Sequence, residues 1–104
     1  LADCELVLPF VAAAAEPVWH LYVIRTPQRD ALLETLNRQG IGAGVHYPVP
    51  LHLQPAYAHL GYRVGQLPVT EEVAATCLSL PLYPEMSDAQ QDAVVAAVRA
   101  FLGQ

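Results

Sequence analysis

Residues 18–45, VWHLYVIRTPQRDALLETLNRQGIGAGV, decide the fold. The run from Val18 to Arg25 is rich in aromatic and β-branched residues, which suit a pleated, half-buried surface, and it predicts a strand. Alternation places Trp19, Leu21 and Val23 on one face and Val18, His20, Tyr22 and Ile24 on the other, so both faces are expected to be covered. Thr26-Pro27 then opens a helix, with Thr26 as its cap and Pro27 in the first turn, that runs to Gln39 and stops at Gly40. Within it Leu32, Leu33 and Leu36 recur at helical spacing, leaving Arg29, Asp30, Glu34, Asn37 and Arg38 to water. Residues 41–45 make a second short strand, whose Gly42 and Gly44 let another backbone or a ligand come close. Strand, helix and strand together predict a βαβ unit over residues 17–45.

Working outward, residues 1–16 read as an arm and loop: Leu6-Val7-Leu8 is stopped by Pro9, and Ala12–Ala15 is closed by Glu16-Pro17. On the other side, Pro48, Pro50 and Pro55 break residues 46–66 into a long loop with about one turn of helix near Gln54 to Leu60. Loops of this length inside a small domain usually serve function, and this one carries His46, His52, His59, Tyr47, Tyr57 and Tyr62. Residues 67–104 predict a helix entered at Pro68, with Thr70 as cap and Glu71 and Glu72 in its first turn, ending near Cys77. A short strand Leu78-Ser79-Leu80 follows. Ser87-Asp88-Ala89-Gln90 has the form of a capping box and opens a last helix to Leu102, with Val94, Val95, Val98, Phe101 and Leu102 inward. The expected fold is α+β, a small two-layer domain with a roughly three-stranded sheet packed against helices.

The chain has 104 residues, 54% of them apolar and 14% charged, with a formal net charge of -5. These values fit one compact domain able to bury a core. Five arginines against ten acids leave no basic stripe for a phosphate backbone, which excludes nucleic acid as a partner, and no apolar run is long enough to cross a membrane. Cys4 and Cys77 are too few for a disulfide framework, which suits a reducing cytoplasm. The basic residues are Arg25, Arg29, Arg38, Arg63 and Arg99, with no lysine, so this chain cannot supply a Schiff-base amine. It begins at Leu1 without a methionine, and a fragment of a longer protein is expected.

The residues that carry chemistry are few. His20, His46, His52 and His59 lack nearby acids, since residues 46–66 contain none, and lack the spacing of a metal site. His20, mid-strand among apolar residues, reads as a core histidine. Ser79 and Ser87 lie in strand and cap contexts without a nucleophile elbow, and Cys77 reads as a small buried hydrophobe. Gly40, Gly42 and Gly44 have phosphate-loop spacing, but no helix N-terminus follows them. His46-Tyr47 differs, because it follows a glycine-bearing strand end, where α/β sheets place their ligands. An imidazole can exchange a proton or hydrogen-bond, and a phenol adds a directional donor and a stacking face. The competing reading of the pair is a rigid turn packed on the core.

The order HLYVIR, Arg29-Asp30, Leu32, Leu33 and Leu36, Gly40-Ile41, HYPVPLHLQPAY, Pro68-Val69-Thr70-Glu71, then LSLP with Tyr83-Pro84, resembles the C-terminal region of the DegT/DnrJ/StrS sugar aminotransferases. The resemblance covers about residues 5–102. It implies the small C-terminal domain of a fold type I enzyme that uses pyridoxal phosphate to move an amino group from glutamate or glutamine to a nucleotide-linked keto-sugar. It further implies a cytoplasmic homodimer whose lysine, cofactor acid and phosphate contacts lie upstream in a large domain, so no catalytic or cofactor residue is expected in this chain. His46, Tyr47 and His52 are the substrate-binding candidates that the resemblance carries over, with the Gln54–Tyr57 turn shaping the loop. The alternatives are a non-catalytic α+β binding or regulatory module and a metal-dependent hydrolase built on the histidines.

Overall fold

The computed structural model describes residues 1–103. Its elements run β1 (Tyr22–Arg25), α1 (Arg29–Arg38), two 3-10 turns (Leu51–Leu53 and Pro55–Leu60), α2 (Pro68–Thr76), β2 (Cys77–Leu80) and α3 (Asp88–Phe101). β1 and β2 pair antiparallel, with Tyr22 opposite Leu80 and Arg25 opposite Cys77. The expected three-stranded sheet is therefore two-stranded. Among the described residues, 41–45 contribute only a single bridge, Gly44 to Ser79, and the N-terminal arm only one, Val7 to Arg25.

β1 and Gly44 are both antiparallel to β2, so they run parallel to each other with β2 between them. The strand expected over residues 18–25 shortens to its last four residues, because residues 18–21 have no ladder partner, and Val18 is almost fully exposed. His20 is likewise exposed, which overturns its reading as a core histidine.

Leu78 and Leu80 project to the helix-covered face, where Ile24, Leu32, Leu36, Val94, Ala97 and Val98 form the core with them. α1 and α3 pack there side by side because each presents an apolar stripe, and Val94 and Val98 take the buried positions expected of α3 while Val95, Phe101 and Leu102 are half-buried. The capping box of α3 is present: Ser87 Oγ accepts from the Gln90 amide at 3.3 Å, and Gln90 Oε1 accepts from the Ser87 amide at 2.9 Å. α1 ends as expected at Gly40, whose φ of 76° lets its amide reach the Asn37 carbonyl and that of Ile41 the Leu36 carbonyl.

Two other caps differ from expectation. Thr26 Oγ accepts from the Gln28 amide and shapes the turn ahead of α1 instead of capping the helix. Thr70 lies inside α2, whose first residue is Pro68, a position where a missing amide costs nothing. Arg29, read as water-facing, is buried: its Nη1 donates to the carbonyls of Ala74 and Cys77 at 3.2 and 3.1 Å. It thereby satisfies carbonyls where α2 turns directly into β2.

Candidate functional site

β2 fixes the centre of the site. Ser79 pairs with Val23 on one side and with Gly44 on the other, where the two residues exchange amide-to-carbonyl bonds of 2.8 and 3.1 Å. The chain leaves this bridge into His46-Tyr47, so the sheet positions the pair at the start of the long loop. His46 Nδ1 lies 2.9 Å from Ser79 Oγ, and its ring stands edge-on to that of Tyr47 with centroids 5.5 Å apart. Gly44 makes room for the imidazole, since a Cβ there would lie 3.3 Å from His46 Cε1.

His46 borders a cleft of about 770 Å³ lined by residues 40–44, Ser79, the 80–83 segment, His20 and the first turns of α3. Most of that lining is apolar, with His20, His46, Ser79, Tyr83 and Gln90 as its polar side chains. Tyr47 is 72% exposed and borders a smaller groove with Pro48, Val49 and Gln54. A mainly apolar surface with a few directional groups is the usual make-up of a small-molecule site.

His52 is placed differently from its two companions. It is buried, its Nε2 lies 3.1 Å from Glu71 Oε1, its ring meets Tyr62 edge-on, and its Nδ1 has no partner among the described residues. Glu71 also accepts from the Gly65 amide at 2.8 and 2.9 Å and from the Leu67 amide at 3.2 Å. The Gly65 amide is the strongest influence holding the Glu71 carboxyl below the ordinary carboxylate range, with His52 and Leu67 adding to it against partial burial. His52 and Glu71 thus tie the long loop to α2, and the structure brings His20, His46 and Ser79 to one cleft, with Tyr47 against His46 on a separate groove and His52 apart from both.

Ser79, Glu71 and Arg29 were not among the expected functional residues. Ser79 had one signal, a hydroxyl in the otherwise apolar run CLSL, which a fully buried strand tolerates only with a partner. The residues present do not make a site for pyridoxal phosphate: the chain has no lysine, and none of its five arginines lines the cleft to balance a phosphate. Among the described residues, no three His, Cys, Asp or Glu side chains gather as metal ligands, and no helix is long and apolar enough to cross a membrane.

The model of the DegT/DnrJ/EryC1/StrS aminotransferase family matches residues 1–99. The chain is 51% identical over 84 residues to the pleiotropic regulatory protein of Geobacillus stearothermophilus, covering 81% of this chain and 23% of that protein. It is 46% identical over 94 residues to the dTDP-3-amino-3,4,6-trideoxy-alpha-D-glucose transaminase of Streptomyces venezuelae, covering 90% of this chain and 25% of that one. The crystal structure of S. venezuelae DesV in complex with a ketimine intermediate superposes with a TM-score of 0.91 at 42% identity, over 95% of this chain and 27% of DesV. NtdA of Bacillus subtilis, solved with bound cofactor PMP, gives 0.79 at 30% identity over 95% of this chain and 23% of NtdA. The chain spans about a quarter of the length of these relatives.

Proposed function

Since the chain belongs to the DegT/DnrJ/EryC1/StrS aminotransferase family, we propose that it is the C-terminal portion of a pyridoxal-phosphate-dependent transaminase. The enzyme moves an amino group from glutamate or glutamine to a nucleotide-linked keto-sugar. One observation carries the reading: the sheet delivers His46 to the rim of a mainly apolar cleft, with its ring held by Ser79, accommodated by Gly44 and met edge-on by Tyr47. Support for the sugar substrate comes from relatives named as transaminases of dTDP-linked amino sugars.

The cofactor is bound by a large domain upstream, which is also the partner of this chain; the intact enzyme is a cytoplasmic homodimer. Within this chain His46 and Tyr47 contact the sugar substrate, and His52 with Glu71 holds their loop in place. The chain contributes orientation and closure of the cleft and is inactive alone.

In the intact enzyme, His46→Ala should lower the rate of amino transfer to the keto-sugar by about 10–100-fold through lost orientation. The reaction with the amino donor should stay nearly unchanged, as single-turnover spectra of each half-reaction would show. Equal losses in both halves would assign His46 a structural role and overturn this reading. A second reading, a non-catalytic regulatory module, is favoured by the name of the Geobacillus relative. An intact gene product without a lysine-bearing domain ahead of Leu1, seen by its mass and sequence, would select it.

A further inference from the structure

Ser79 is 4% exposed and stands directly opposite Gly44, so the side-chain positions of the two share one face of the sheet. His46 lies two residues beyond Gly44, the spacing that returns a side chain to the same face. Its ring covers Gly44 and reaches Ser79 Oγ through Nδ1 at 2.9 Å. Among the described residues this nitrogen is the sole side-chain or backbone partner of the Ser79 hydroxyl.

A hydroxyl carries one proton, and at this depth a proton left without an acceptor bears the full cost of desolvation. With no other acceptor among the described residues, the pair is satisfied when the Ser79 hydroxyl donates to an unprotonated Nδ1 and the ring proton sits on Nε2. We propose that Ser79 is a positioning residue for His46: it fixes the Nε2–H tautomer and offers that N–H to the cleft as a donor to an oxygen acceptor on the substrate. The identity of the acceptor, a hydroxyl, carbonyl or phosphate oxygen of a sugar nucleotide, rests on the function proposed above; the tautomer does not. The opposite tautomer would present a lone pair at the same place and would select for a substrate proton donor. Gly44 is the second part of the device, since a Cβ there would lie 3.3 Å from His46 Cε1 and the ring would have to give by a few tenths of an ångström.

The test uses the full-length protein that carries this chain, labelled with isotopic histidine, the His46 signals being identified by their loss in His46→Gln. In the wild type, nitrogen NMR at a pH where the ring is neutral should show Nδ1 bare and Nε2 protonated. In Ser79→Ala both shifts should move towards the average of exchanging tautomers, and Gly44→Ala should do the same with the hydroxyl still present. A wild-type spectrum with the proton on Nδ1, or an unchanged spectrum in Ser79→Ala, would overturn the proposal whatever the enzyme does. In kinetics, Ser79→Ala should raise KM for the keto-sugar about tenfold, the worth of one oriented hydrogen bond, with the donor reaction unaltered. An unchanged KM would overturn the role towards substrate. A wild type that aminates no keto-sugar would defeat the proposed function, while the spectra still decide the tautomer.

Discussion

The carboxylate of Glu71 gathers three pieces of chain, accepting from the Gly65 and Leu67 amides and from His52 Nε2. Those bonds favour the ionised form, so the folded protein holds this carboxyl below its ordinary value. A depressed folded pKa gives a contribution that is complete above the unfolded value and is lost as pH falls through the folded one. The long loop should therefore loosen below about pH 4, the ordinary carboxylate range. Hydrogen exchange at Gly65 and Leu67, taken relative to the intrinsic rate, should quicken in that window and be fast at every pH in Glu71→Ala. A flat wild-type profile would show that the carboxylate does not hold the loop. Sequence exposed Glu71 only as an acid in the first turn of α2, because its partner His52 is 19 residues away. The same distance effect hid Ser79 from His46, 33 residues apart, and Arg29 from the Ala74 carbonyl, 45 apart. The candidate pair itself was legible, since histidine and tyrosine after a glycine-bearing strand end need no distant partner to be noticed.

Among the elements, α1 separates two kinds of contribution that one unfolding experiment can compare. Leu36 is fully buried between the sheet and α3, so Leu36→Ala removes packed volume and should cost about 2–5 kcal/mol. Gly40 has a φ of 76° with nothing within 4 Å of an added Cβ, so Gly40→Ala meets only the backbone penalty, about 1–2 kcal/mol. Urea midpoints at an unchanged slope should rank them in that order; equal costs would mean that the end of α1 is packed more tightly than the structure shows. Features decided by near neighbours were readable: the Ser87–Gln90 box and the glycine stop of α1 involve residues three to five apart. Strand limits were not, since a strand exists only where a second one meets it. Val18–Leu21 has strand composition but no partner, and residues 41–45 meet β2 at one residue.

At the scale of the molecule, the radius of gyration is 15.6 Å where a compact domain of this length has about 13 Å. The compact shape expected from composition is thus not reached, and the excess lies in segments that leave the core. Residues 10–20 are exposed throughout, with Phe10 90% and Val18 97% accessible, and residues 55–70 are exposed as well. A composition of 54% apolar and 14% charged residues accords with this surplus of apolar surface as well as with a compact core. Its location was not legible, since an apolar residue that awaits another chain segment looks like one that enters the core. Apolar side chains left this exposed favour association in water where they meet another copy. Expressed alone, the chain should self-associate, its light-scattering mass rising above 11.3 kDa with concentration and falling when Phe10 and Val18 are both replaced by serine. A mass fixed at 11.3 kDa over the whole accessible range would show that these segments fold back and cover themselves in solution.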